Sequence, residues 1–230
     1  MSANTLVLLS AGLDSAVLAA HEAEHSHVIP VYVSVGLAWE PAERAMLTHL
    51  LRAPVFARRL APMVSVEFTM RDIYAPTHWA IRGEPPAYDT PDEDVYLTGR
   101  NLVLLAKAGV VAARHRAGRI AIGPLSGNPF PDARPAFFRA MAQALSLGLD
   151  QAVDVVTPFA AWHKEEVIAR GVHLGVPLEL TLSCMNPQAA DRPEAVPVHC
   201  GLCSKCRERR DGFAAAGITD PTTYRNASPR

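Results

Sequence analysis

Five short apolar runs, each followed by a stretch of helical periodicity, constrain this chain more than any other feature. The runs are TLVLL (5–9), VIPVYVSV (28–35), VSVEFTM (64–70), RIAIG (119–123) and VDVVTPF (153–159). They are rich in Val and Ile, and several lack polar alternation, as strands do when a parallel sheet is covered on both faces. Helical patterns occupy 14–24, 41–53, 99–117, 134–147 and 163–175. Strand and helix in alternation give an α/β class with a doubly wound, mostly parallel sheet. With 230 residues and 49% hydrophobic content, one such domain and a small appendage are expected, and the composition argues against disorder.

Two sections break the alternation. PTHWAIRGEPPAYDTPDEDVY (76–96) reads as a long loop, and loops of that length are functional or disordered. After Val176 the pattern ends, and the segment from Ser183 to Phe213 lacks the composition of an ordinary hydrophobic core. A boundary is therefore set near 180, with an α/β domain over 1–180 and a metal-binding segment over 181–230. The 22 basic and 23 acidic side chains nearly cancel, so no global field favours nucleic acid or an anionic membrane. No run reaches the roughly 18 apolar residues of a membrane span. The amino end lacks the basic and apolar regions of a signal peptide, so a cytoplasmic protein is expected.

The first run stops at a turn, LLSAGLDSAV, and a helix pattern begins at once. Amides at a helix N-terminus are unpaired and carry partial positive charge, which attracts phosphate. Gly12 permits close approach of a ligand, and Ser10 and Ser15 add hydroxyls. Asp14 is out of place at an anion site unless it caps the helix or orients a cation that accompanies phosphate. A plain helix cap fits the turn equally well. Neither a Walker nor a Rossmann glycine pattern is present.

All four cysteines lie near the carboxyl end, as Cys184, Cys200, Cys203 and Cys206 in the spacing C-x15-C-x2-C-x2-C. Four thiolates complete a tetrahedral shell for structural zinc, and an iron–sulfur cluster is the rival occupant. Lys205, Arg207, Arg209 and Arg210 would offset the thiolate charge. His199 is read as a bystander.

The turn resembles the SGGxDS pyrophosphate loop of the PP-loop ATPases, the adenine nucleotide alpha hydrolase family, with Ala11 in place of a glycine. Loop and cysteines together resemble one branch, the ExsB-like 7-cyano-7-deazaguanine synthases of queuosine precursor synthesis. YLTGRNLVLLAKAGVVA (96–112), GNPFPDARPAFFRAM (127–141), TPFAAWHKEEV (157–167), TLSCMNP (181–187) and the tail from Cys200 are similar to segments of that branch. SVGLAWEPAER (34–44) and IGPLSGNPFPD (122–132) depart from it, so fold and ATP chemistry carry over better than substrate identity.

The resemblance implies that ATP and Mg²⁺ adenylate the carboxylate of 7-carboxy-7-deazaguanine. Ammonia then displaces AMP, and a second activation gives the nitrile. Leu9, Ser10, Ala11, Gly12, Leu13, Asp14, Ser15 and Ala16 would form the ATP loop, helped by Arg100, Asn101 and Lys164. Asp14 and Lys164 are the catalytic candidates, with Lys164 neutralising charge on the α-phosphate. Asp132 would face a guanine-like ring, and Phe130 and Phe137 would stack on it. The plainer alternatives are a capping role for Asp132, core packing for the phenylalanines and a solvated surface position for Lys164. A homodimer is left open. The rival readings are a divergent paralogue with another amine acceptor, a tRNA-modifying PP-loop enzyme and a non-catalytic nucleotide-binding module with structural zinc.

Overall fold

The computed structural model describes residues 4–188, 192 and 195–229. Five strands, β1 (Asn4–Leu8), β2 (His27–Ser34), β3 (Val64–Glu67), β4 (Arg119–Ala121) and β5 (Asp154–Val156), form one sheet in the order β3-β2-β1-β4-β5. Every pairing is parallel, with Leu6 opposite both Ile29 and Ile120. The central strand is buried on both faces, which accounts for its unbroken apolar run. The doubly wound parallel sheet expected from the alternation is present.

Among the described residues, eight helices connect or follow the strands. They are α1 (Leu13–Glu22), α2 (Glu40–Leu50), α3 (Pro54–Ala57), α4 (Trp79–Arg82), α5 (Arg100–Arg114), α6 (Pro135–Leu149), α7 (Lys164–His173) and α8 (Ser204–Ala216). The chain moves from β1 to β2 in one direction and from β4 to β5 in the other. Right-handed crossovers therefore set α1 and α6 on opposite faces. Between β1 and β4 the winding reverses. The loops leaving their carboxyl ends splay apart there and open a crevice, the usual ligand position in such sheets.

Segment 76–96 is not a simple loop. It forms α4 and a 3₁₀ turn at Asp92–Val95, anchored by buried Ala80 and Val95. His78 caps α4 by accepting from the Ala80 amide at 3.2 Å, a local signal masked by the surrounding prolines and acids.

The tail also differs from its sequence reading, because α8 buries Phe213, Cys206 and Arg209. Arg209 serves as a polar core. It donates to the Leu178 carbonyl at 2.7 Å and to Thr181 Oγ1 at 2.8 Å, tying α8 to the segment after α7. The Leu182 amide donates to the Ala11 carbonyl at 2.8 Å, joining that segment to the turn after β1.

Gly171 and Gly212 make the α1–α7–α8 packing close. A Cβ on Gly171 would lie 2.8 Å from Val17 Cγ2, and one on Gly212 would lie 2.4 Å from Lys164 Cγ. Gly212→Ala is expected to lower stability by about 1–3 kcal/mol through overpacking, as measured by urea unfolding.

Candidate functional site

The crevice holds a cavity of about 350 Å³ whose lining includes Leu9, Ser10, Gly12, Leu13, Asp14 and Ser15. Gly12 occupies the N-cap position of α1 with no side-chain capping bond, so the first-turn amides stay open toward the crevice. A plain capping role for Asp14 is therefore not what the helix uses. Ser15 Oγ donates to the Gly12 carbonyl at 2.9 Å and accepts from the Ser10 amide at 3.3 Å, which closes the turn on itself. Ala11 and Ala16 are fully buried and shape the turn from behind. Ala11, at φ 65°, carries the left-handed residue of the turn, whereas Gly12 has φ −57°.

Lys164, the first residue of α7, reaches the same turn. Its Nζ lies 2.8 Å from Asp14 Oδ2 and 2.7 Å from a Glu208 oxygen, with only 14% of the side chain exposed. It is not a surface lysine. Burial alone would lower its pKa, but the carboxylates of Asp14 and Glu208 hold it above the ordinary lysine value. Glu208 is in turn held down at about 2: burial would raise it, and the ammonium groups of Lys164 and Lys205 outweigh that effect. Lys205 lies 2.6 Å from Glu208 and 3.4 Å from Asp92. His163, one residue ahead of α7, donates its amide to Glu166 at 2.7 Å.

Arg100 and Asn101 open α5 at the cavity wall. The Asn101 amide donates to Asp132 Oδ2 at 3.0 Å, and Asn101 Nδ2 donates to the Asp132 carbonyl at 3.0 Å. Asp132 thus ties the loop after β4 to the start of α5, and burial pushes its pKa up. Phe130 lines the cavity and stacks on Tyr96 at 5.0 Å. The structure does not bring Phe137 to the cavity. It packs against Phe138 and the core instead, because the α6 turn carries it away from the loop that holds Phe130.

Several lining residues escaped the sequence reading. Glu43, Trp39 and Tyr32 line the cavity from α2 and β2, Trp79 lines it from α4, and Lys205 and Glu208 line it from α8. Glu40 and Glu43 share the buried face of α2 with Met46, Leu47 and Leu50. Two acids on an apolar stripe were the available signal. Glu40 is fully satisfied, accepting from the Ser34 hydroxyl and the Val35 amide at 2.5 and 2.8 Å. Glu43 accepts from Tyr32 Oη at 2.8 Å. Burial raises its pKa to about 7, against the opposing charge of Arg100.

The four cysteine sulfurs all lie within 4.8 Å of one another, an arrangement that could hold a single metal ion. Individual separations are 3.5 Å for Cys203–Cys206 and 3.9 Å for both Cys200–Cys206 and Cys184–Cys203. The Asn186 and Cys200 amides donate to Cys184 Sγ at 3.3 and 3.2 Å, as expected where a sulfur is to carry negative charge. Gly201, at φ +82°, makes the tight turn between ligands, and a Cβ there would strike the Asn226 carbonyl at 2.2 Å.

The nearby basic residues are engaged elsewhere. Arg210 donates to the Gly201 carbonyl at 2.8 Å and Arg207 to the Thr90 carbonyl at 3.1 Å. His199 is buried, is pushed down to about 3 by burial and then by Arg209, and accepts from the Ser183 amide at 3.1 Å.

Residues 4–217 match the family model described as queuosine biosynthesis protein QueC. The chain belongs to this family. Among curated relatives, the 7-cyano-7-deazaguanine synthase of Methanopyrus kandleri is 33% identical, covering 96% of this chain and 99% of its own. The synthase of Azoarcus sp. is 34% identical, covering 95% and 96%, and that of Methanoculleus marisnigri is 32% identical, covering 94% and 96%. Among the described residues, no helix of this family member is long and apolar enough to cross a membrane.

Glu43 has a pH signature. Its folded-state pKa of about 7 exceeds the ordinary 4.5, so folding favours the protonated acid. That stabilisation is complete below about pH 4.5 and is lost as pH rises through 7. Between pH 4.5 and 8 the protein is expected to lose on the order of 3 kcal/mol relative to Glu43→Gln, measured by denaturant unfolding at both pH values.

Proposed function

We propose that this protein is an ATP-dependent 7-cyano-7-deazaguanine synthase, a carbon–nitrogen ligase acting in the cytoplasm on 7-carboxy-7-deazaguanine and ammonia. One observation carries the reading. An uncapped helix start and a paired, buried lysine meet at the switch crevice of a chain whose curated relatives bear that name.

A carboxylate is a poor acyl donor because oxide would have to leave. In the proposed reaction a carboxylate oxygen attacks the α-phosphorus of ATP and pyrophosphate departs. Ammonia then adds to the acyl carbon, AMP leaves, and the amide forms with loss of a proton. A second ATP activates the amide oxygen, and departure of AMP with the remaining amide protons gives the nitrile.

The α1 amides with Ser10 and Ser15 hold the departing pyrophosphate. Asp14 would hold the Mg²⁺ that accompanies the phosphates, and that ion would supply charge neutralisation. Lys164, released from Asp14 but still held by Glu208, is then free to meet charge developing at the α-phosphate. Asn101 and Asp132 fix the cavity wall between the β4 loop and α5. Phe130 offers a flat face beside Tyr96.

We assign the four-cysteine site to structural zinc. Zn–S bonds of about 2.3 Å in a tetrahedron place sulfurs ~3.8 Å apart, close to the 3.5, 3.9 and 3.9 Å of three of the pairs here. An iron–sulfur core would spread the thiolates further. Four ligands leave no open position, so the metal's part is to hold the start of α8, and with it Lys205 and Glu208.

Incubation with 7-carboxy-7-deazaguanine, ATP, Mg²⁺ and ammonium is expected to yield AMP, pyrophosphate and the nitrile by mass spectrometry. Asp14→Asn should lower turnover by a hundredfold or more with an unchanged melting temperature. Absence of AMP with the wild-type protein contradicts the reading. One zinc per chain is expected by elemental analysis, and Cys203→Ser should lose it. Unchanged metal content in that variant refutes the assignment.

A further inference from the structure

Glu43 poses a problem that the proposed chemistry leaves unsolved. The residue is only 6% exposed yet lines the cavity, and its polar company there is the Tyr32 hydroxyl, which donates to it at 2.8 Å, and the Trp39 indole. Arg100 lines the same cavity, and its charge is felt at Glu43. Even so, no ion pair joins them among the described residues, and Arg100 Nε is buried without a hydrogen-bond partner. A buried acid and a guanidinium with a buried, unpartnered Nε that face one space without meeting are better satisfied when a ligand stands between them and pairs with both.

The aromatic walls favour a flat ligand laid against them. Trp39 and Trp79 lie parallel, with ring centres 5.8 Å apart and planes within 12°, and Tyr32 and Tyr96 share the lining. The polar groups restrict its edges. A carboxylate pairs best with two adjacent N–H donors, and a guanidinium pairs best with two adjacent oxygens. A guanine-type ring carrying a carboxylate at position 7 has both. The ring N1–H and the 2-amino group form the donor edge, while O6 and the carboxylate form the acceptor edge. An adenine-type ring would turn a lone pair toward Glu43.

Asp132 is instead committed to the cavity wall, where its carboxylate and its backbone carbonyl both bond to Asn101.

We propose that Glu43 determines substrate specificity by accepting from the N1–H and 2-amino edge of the guanine-type acid, with Arg100 meeting the opposite acceptor edge. This rests on the proposed function, since it names the ring that the same site adenylates. The groups facing Glu43 agree with it. Tyr32 on β2 and Arg100 on α5 favour the anion, burial and Glu40 on α2 oppose it, and two ring donors would tip the balance toward the charged form.

The test is equilibrium binding to the full-length zinc protein with α,β-methylene-ATP present, read by calorimetry. The ligands are 7-carboxy-7-deazaguanine and its analogue lacking the 2-amino group. The wild-type protein should prefer the guanine-type ring by roughly tenfold or more, because the analogue leaves a buried acceptor unpaired. Glu43→Gln should bring the ratio close to one while the nucleotide affinity stays within about twofold. Tyr32→Phe, which removes only the hydroxyl that anchors Glu43, should reduce the preference several-fold and serves if Glu43→Gln fails to fold. If either folded variant keeps the full preference, the role of Glu43 is overturned while the proposed function stands. If the wild-type protein binds the nucleotide but neither acid, the proposed substrate falls and this inference falls with it.

Discussion

Lys164 is the side chain on which the arrangement of the crevice depends. Its ammonium is nearly buried, and a buried charge is tolerable only when it is paired and hydrogen-bonded. The pairing comes from Asp14 on α1 and Glu208 on α8, so three helices from distant parts of the chain converge on one nitrogen. Removing one acid would leave the ammonium paired with the other, whereas removing the lysine would leave two carboxylates facing each other. Packing adds to this constraint, since Gly212 lets α8 approach the Lys164 stem closely enough for Glu208 to reach it.

This convergence gives the cysteine cluster a role beyond local stability. Cys203 and Cys206 bracket the first turn of α8, and Lys205 and Glu208 follow in the same turns. A metal held there would fix the entry of that helix, the helix places Glu208, and Glu208 pairs with Lys164 beside the turn after β1. Arg209, buried and bonded to Leu178 and Thr181, secures the same helix from its other side. The crevice lies where the sheet reverses its winding, and the carboxyl-terminal segment reaches that place through α8 and through the Leu182–Ala11 backbone bond.

Much of this was legible in the residues. All five strands and the five long connecting helices fall where Val- and Ile-rich runs and 3.6-residue periodicity set them. The four cysteines are singled out by type and spacing, whereas the turn Ser10–Ser15 and the lysine at 164 take their reading from the family resemblance. The missed part has a physical explanation. Glu40 and Glu43 sit on a buried helix face, and amphipathic patterns cannot distinguish a functional buried acid from a slip in the stripe. The 76–96 segment hides a four-residue helix capped by a histidine, too short for periodicity to register. Asp132 and Asn101 were both marked, but their mutual hydrogen bonds join positions 31 residues apart and leave no local trace. Phe137 shares a short aromatic cluster with Phe130, yet the start of α6 at Pro135 turns the two apart.

In the proposed reaction, the turn after β1 receives the triphosphate of ATP while Lys164 exchanges Asp14 for phosphate. Calorimetric titration of the zinc-loaded protein with α,β-methylene-ATP and Mg²⁺, repeated in the presence of pyrophosphate, tests it most directly. One binding event per chain that pyrophosphate weakens competitively is the predicted result. No binding heat, or binding that pyrophosphate leaves untouched, would contradict it.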